Sequence, residues 1–276
     1  MRQDKIILVG AGNVAHHLAA ALLKAGANLC QIYSRTIESA RELGRKTGIS
    51  YTSDLSQIYP DGDIYFFCVS DDVLHPLLKS IRIHDDALLL HTSGSLPMEI
   101  LKPFSKQYGV IYPVQTFSKG RDLNFKEIPL CIEGNSPVAM ERIRELATDL
   151  SDNIYPVHSD QRKELHLAAV FACNFPNYLY HIAEKMLENS GLPFSVLRPL
   201  IFETAHKVML MTPMEAQTGP AKRGDESILN GHKSMLKENK NLLKLYALLS
   251  EMIKESQTKE DNPTKQDEIA DMPTLW

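Results

Sequence analysis

Near its start the chain runs an apolar segment, Ile6-Ile7-Leu8-Val9, straight into Gly10-Ala11-Gly12-Asn13-Val14-Ala15, and a helical pattern follows from Val14 to Lys24. A strand that turns through G-x-G-x-x-A into a helix constrains the fold more than any other feature here. Gly10 permits the tight turn, and Gly12 carries no side chain to keep a diphosphate off the backbone. Ala15 is small enough for the helix to pack close to the sheet. The helix start at Asn13 and Val14 then presents unpaired N–H groups and a partial positive charge to the phosphates. The turn therefore predicts a dinucleotide-binding sheet.

The order of the segments that follow extends this reading. Strand patterns over 5–9, 28–33, 51–52, 63–69, 87–91, 110–111, 129–133 and 154–157 alternate with helical patterns over 14–24, 37–47, 73–81 and 137–150. The run IYFFCV after Asp63 is continuously apolar, as a strand covered on both faces requires. Alternation of this kind implies βαβ units, a parallel sheet and right-handed crossovers. From about Lys163 helical periods take over. The expectation is an α/β, Rossmann-like doubly wound parallel sheet over residues 1–157, an all-helical C-terminal domain for substrate and dimerisation over 158–256, and a polar tail over 257–276. A chain of 276 residues with 43% hydrophobic content is long and apolar enough for two such domains.

The end of the second strand selects among dinucleotides. An acidic residue there would bind the ribose 2′-hydroxyl of NAD; this chain has Ser34-Arg35-Thr36 instead. Arg35 pairs naturally with a 2′-phosphate, and Ser34 and Thr36 offer hydroxyl donors, so NADP is the expected cofactor. Val69 and Ser70, at the end of the fourth strand pattern, complete the expected cofactor-binding set.

Charge and cysteine usage narrow the partners. Lys plus Arg number 30 against 34 for Asp plus Glu, a net charge of −4, which argues against holding nucleic acid or an anionic membrane. No apolar run approaches the roughly 18 residues of a membrane span. The N-terminus shows no secretion-signal pattern. Cys30, Cys68, Cys131 and Cys173 sit in apolar stretches without metal-ligand spacing, and read as buried reduced thiols. The expectation is a cytoplasmic protein that binds no metal.

The chemistry is expected beyond the carboxyl ends of the strands, where open α/β sheets hold ligands. Ser70, Asp71 and Asp72 follow one strand, His91, Thr92, Ser93 and Gly94 another, and Tyr112, Pro113, Gln115 and Thr116 a third. In the first long helix after residue 163, Asn174, Asn177 and His181 stand eight, eleven and fifteen residues after His166. At about 100° per residue these four share one polar stripe in an apolar helix. Pro176 removes a backbone donor there and predicts a kink. Further on, Gly219 to Asp225 brackets Lys222 and Arg223 in a rigid loop, and Asp225 and His232 stand about two helical turns apart. We assign proton transfer to His166, substrate orientation to Asn174 and Ser93, and an anchor for an anionic substrate group to Arg223. The expected reaction moves a hydride between nicotinamide and a small carbonyl or imine compound held between the domains. A dinucleotide-binding sensor or scaffold without turnover is the alternative.

Five segments together resemble a known family: Gly10–Ala15, Cys68-Val69-Ser70-Asp71-Asp72, His91-Thr92-Ser93-Gly94-Ser95, Tyr112-Pro113-Val114-Gln115-Thr116-Phe117, and Gly219-Pro220-Ala221-Lys222-Arg223-Gly224-Asp225. The resemblance is to NADP oxidoreductases that join a Rossmann-like domain to a C-terminal domain of unknown function, over about residues 4 to 255. More distantly the chain is similar to pyrroline-5-carboxylate reductase and the 6-phosphogluconate dehydrogenase superfamily. Those relatives imply a helical second domain that makes a homodimer and completes the active site. One position departs from them. Hydroxyacid dehydrogenases of that superfamily carry a lysine one turn before an asparagine, and here Val170 stands four residues before Asn174. Hydroxyacid oxidation by that route is therefore disfavoured.

Overall fold

The computed structural model describes residues 4–260, in two compact units, one ending at Ile182 and the next beginning at Ala183. The division falls inside the helix Phe175–Glu188.

The first unit is built on an eight-stranded sheet: β1 Ile6–Val9, β2 Leu29–Tyr33, β3 Ser50–Thr52, β4 Ile64–Phe67, β5 Leu88–His91, β6 Gln107–Pro113, β7 Leu130–Gly134 and β8 Ile154–Pro156. Their spatial order is β3-β2-β1-β4-β5-β6-β7-β8. The helices α1 Asn13–Lys24, α2 Ile37–Thr47, α3 Asp71–Leu78 and α4 Pro137–Leu150 form crossovers between parallel strands. All of β1 and β4 is buried, and the side chains alternate between two cores. Ile6, Leu8, Phe66 and Leu90 join Leu18, Leu22 and Ile143 on one face. Ile7, Val9, Phe67 and Leu89 join Leu74 and Leu77 on the other. Strands covered on both faces must be apolar at consecutive positions, which is why they read as unbroken runs.

One pairing differs from an all-parallel sheet: β7 runs antiparallel to β6. Between them lie residues 114–129, with only a three-residue turn of 3₁₀ helix, Phe125–Glu127. A parallel return needs a helix-sized crossover, and this connection has none.

After β8 the chain enters α5 Ser159–Ala169, a five-residue π-helical turn Val170–Asn174, and α6 Phe175–Glu188. Pro176 lies at the second position of α6, and the expected kink is realised as this wide turn directly before it. A missing donor interrupts the i→i−4 ladder, and a π turn absorbs the interruption. Because a π turn advances by less than 100° per residue, the stripe expected from His166 through His181 does not carry across it.

The second unit contains α7 Arg198–Lys207, α8 Pro213–Ala216, α9 Pro220–Arg223, α10 Glu226–Met235 and α11 Lys240–Glu260. Short α9 packs on α10 and α11, with Ala221 and Leu229 buried. Residues 257–260 of the expected tail continue α11; the remainder lies outside the described residues. No helix among the described residues is long and apolar enough to cross a membrane.

Candidate active site

In this sheet the strand order reverses between β1 and β4, the switch point at which α/β sheets bind ligands. Gly10 leaves β1 with φ of 121°, and a β-carbon there would lie 2.2 Å from the carbonyl oxygen of Cys68. Only glycine lets the two strand ends approach this closely. Gly12 has open space where its side chain would be, with nothing within 4 Å. It is the N-cap of α1, makes no side-chain cap, and no acidic residue occupies the first turn. The helix start thus keeps its N–H groups and partial positive charge for an anion. Ala15 is fully buried against the sheet, as its small size allows.

Two clefts open from this turn. The first, about 620 Å³, is lined by Gly10, Gly12, Ser34, Arg35, Thr36 and Ser70 among others. Exposed Arg35 offers its guanidinium at the end of β2, with no acidic residue in the lining of that strand end. Leu55, Val73, Pro76 and Leu77 give the same cleft an apolar wall suited to an adenine ring. The second cleft, about 350 Å³, is lined by Gly12, Asn13, Val14, Val69, Asp71 and the segment Thr92–Ser95, together with Tyr112 and His166. Gly12, Cys68 and Val69 line both, so the clefts meet at the glycine turn. A dinucleotide fits this layout: diphosphate over Gly12, one nucleoside toward Arg35, the other toward His166.

The second cleft holds a hydrogen-bonded tyrosine–histidine pair. Tyr112, at the end of β6, and His166, on α5, share a hydrogen bond of 3.1 Å between the phenol oxygen and Nδ1. Burial raises the Tyr112 phenol above its ordinary range, so the phenol keeps its proton. In the tautomer with the ring proton on Nε2, that phenol donates to Nδ1. Gly94 makes room for this ring: a β-carbon at Gly94 would lie 2.7 Å from His166 Nδ1. Ser93 belongs to the same wall. Its hydroxyl oxygen accepts from the backbone N–H groups of Ser95 and Leu96, both at 3.0 Å, which leaves its proton free to donate outward. Asn13 Nδ2 donates to the carbonyl of Phe117, tying α1 to the loop after β6.

His91, at the end of β5, is not a cleft residue. It is fully buried, its Nδ1 accepts from Ser93 N at 3.2 Å, and burial, aided by the positive charge of Arg162, pushes its pKa down to about 3. It is a neutral strut beneath the Ser93 turn.

Other expected residues stand elsewhere. Asn174, at the end of the π turn, and Asn177 and His181, on α6, are exposed, and none lines the cleft that holds His166. Arg223, in the second unit, is exposed and paired with Asp225 at 2.8 Å. His232 meets Tyr246 at 2.8 Å rather than Asp225. The four cysteines are free thiols, and Cys173 is exposed, in contrast to the buried position expected of it.

Sequence reasoning missed Arg162 and Glu133. Arg162, on α5, is fully buried and ion-paired with Glu133 of β7. The signal available was Glu133 itself, a carboxylate in the apolar run Leu130-Cys131-Ile132, which demands a buried cation.

This sheet, its glycine cradle and the arginine at the end of β2 define a dinucleotide-binding protein of the Rossmann class, with a cleft suited to NADP. The family described as NADP oxidoreductase, coenzyme F420-dependent, matches residues 5–93, and the domain of unknown function DUF2520 matches residues 128–253. The chain is 45% identical to the solved structure of a candidate NADP oxidoreductase from Bacteroides fragilis, covering 92% of this chain and 99% of that one, with a TM-score of 0.88. It is 23% identical over 243 residues to pyrroline-5-carboxylate reductase of Corynebacterium melassecola, covering 78% of this chain and 84% of that protein. An imine reductase from Myxococcus stipitatus, solved with NADP+, shares the fold at 16% identity and a TM-score of 0.63, covering 92% of this chain and 94% of that one. The chain belongs to the NADP oxidoreductase family that joins a Rossmann-like domain to the DUF2520 domain, and NADP is the cofactor of that family.

Proposed function

We propose that this protein is an NADP-dependent oxidoreductase of small carbonyl or imine compounds, with the Tyr112–His166 pair as its proton donor. The observation that carries the reading is that pair, in a cleft contiguous with the glycine turn. When bound, the nicotinamide supplies or accepts the hydride. The chain's own residues do the rest. Gly12, Asn13 and Val14 hold the diphosphate, Ala15 keeps α1 against the sheet, and Ser34, Arg35 and Thr36 hold the 2′-phosphate. Val69 and Ser70 border the ribose. Ser93 donates to the reacting oxygen or nitrogen and orients it. His166 gives up its Nε2 proton to that atom while Nδ1 takes the proton of Tyr112, and solvent returns a proton to the phenolate before the next turnover.

The valine at position 170 supports reduction over hydroxyacid oxidation, and the likeness to an imine reductase and to pyrroline-5-carboxylate reductase supports a C=N substrate. A homodimer is part of the reading: Leu167, Phe171, Phe175 and Tyr178 are exposed along α5, the π turn and α6, as are Phe202, Met209 and Leu210 further on, and exposed large apolar side chains close together are the usual mark of an interface. Four free thiols support a reducing, cytoplasmic setting.

The test is NADPH fluorescence on titration, then NADPH oxidation with a panel of cyclic imines, aldehydes and keto acids. Oxidation by at least one imine or carbonyl, abolished in His166→Ala with NADPH affinity kept, is expected. Binding without oxidation across the panel refutes the enzyme reading and leaves a sensor.

A further inference from the structure

A fully buried arginine is costly unless every nitrogen is used, and in Arg162 every nitrogen is. Nη1 donates to Glu133 Oε2, Nε to the carbonyl of Ser93 at 3.2 Å, and Nη2 to the carbonyl of Leu96 and to Ser159 Oγ at 3.3 Å. Glu133 is equally occupied: it accepts from Ser159 N and Ser159 Oγ, each at 2.8 Å. The network joins three elements, the first turn of α5, strand β7 and the loop after β5.

Its target is specific. Ser93 and Leu96 are the two ends of one turn, and the planar fork takes a carbonyl from each. Inside that turn lies Gly94, the glycine against which the His166 ring rests. His166 itself stands four residues after Arg162, one turn along the same face of α5. The arginine therefore sets the gap between the Ser93–Leu96 turn and the helix, and that gap is the slot of the imidazole. A lysine has one nitrogen and cannot span both carbonyls.

We propose that Arg162, with Glu133 as its counter-charge, is a positioning residue that pins His166 in register with Tyr112 by clamping both ends of the Ser93–Leu96 turn. The proposal rests on the reading that His166 works in this cleft, and it concerns the pose of the ring rather than its chemistry.

The experiment uses the full chain and ¹⁵N NMR of the histidine rings, with His166 assigned by loss of its signals in His166→Asn. In the wild type, Nδ1 and Nε2 of His166 are expected at well-separated shifts, one tautomer held by Tyr112. In Arg162→Lys, which keeps a positive charge beside Glu133, the two shifts converge toward those of a free imidazole, while NADPH affinity stays within about threefold. With any substrate from the panel above, kcat falls by about 100-fold and KM changes little. Arg162→Gln/Glu133→Gln, which leaves no orphaned buried charge, is read the same way if the lysine variant does not fold. A folded variant with wild-type His166 shifts overturns the proposal. So does failure of both variants to fold, which makes Arg162 a scaffold residue. A fully active His166→Ala sinks the functional reading instead, and leaves the ring-shift result intact.

Discussion

Replacing the two glycines of the turn should separate folding from binding. At Gly10 an added methyl meets backbone, 2.2 Å from the oxygen and 2.7 Å from the carbon of the Cys68 carbonyl, and φ is 121°. Holding a side chain in that conformation costs about 1–3 kcal/mol, and forcing it into a packed site costs about 1–3 kcal/mol more. For a domain of this size the sum lowers Tm by on the order of 10 °C. At Gly12 the same methyl meets nothing within 4 Å, and φ of −81° is ordinary for alanine. The entropy gained from the stiffer unfolded chain, about 0.4–1 kcal/mol, roughly offsets the poorer N-cap. Gly12→Ala should therefore melt with the wild type. Its methyl, however, stands where a diphosphate must approach. Losing one charge-assisted hydrogen bond costs about 1.5–3 kcal/mol, or roughly 10- to 150-fold in NADPH affinity. Circular dichroism melts and fluorescence titrations of both variants decide the matter. A Gly12→Ala protein that binds NADPH like the wild type refutes the cradle; one that unfolds refutes the geometry.

Arg35→Ala should weaken NADPH by about 10- to 150-fold, the same charge-assisted bond, and leave NADH unchanged, so the ratio of the two titrated constants approaches one. Tyr112→Phe removes the proton that backs His166, and kcat for the best panel substrate should fall by about 100-fold, with the NADPH dissociation constant unaltered. His91 gives a pH prediction. Unfolded, it takes up a proton near its ordinary 6.5; folded, only at about 3, so acid favours the unfolded chain through that window and stability contributed by the neutral ring is present above pH 6.5. Denaturant melts between pH 7 and 5 should therefore lose stability faster in the wild type than in His91→Asn, by at most about 1.4 kcal/mol per pH unit; parallel slopes would contradict it. Sedimentation should give a dimer, and Phe171→Glu a monomer.

Much of the sheet was legible because its strands are buried on both faces, so each leaves a continuous apolar run that turn residues punctuate. The glycine turn was legible because the fold excludes a side chain at Gly10 and ligand approach excludes one at Gly12, so both leave glycine in the sequence. The antiparallel β7 was not, since strand direction depends on what the connection contains, and residues 114–129 carry no helical period to read. The π turn escaped because the polar stripe assumes an unbroken helix; Pro176 marked the interruption but not the form it takes. Arg162 carries no local signal, standing among charged residues just before the helical period that starts at about Lys163. Its burial is set by Glu133 and the Ser93–Leu96 turn, both distant in sequence, and local pattern does not encode such pairings.

If the two clefts that meet at Gly12 are the two ends of one NADPH site, the bound cofactor must span both. A crystal structure of the full chain grown with NADPH tests it directly. The 2′-phosphate is expected on Arg35, the diphosphate on the backbone of Gly12 and Asn13, and the nicotinamide in the cleft bounded by Gly94, Tyr112 and His166. A nicotinamide turned away from His166, or a cofactor bound elsewhere, would contradict it.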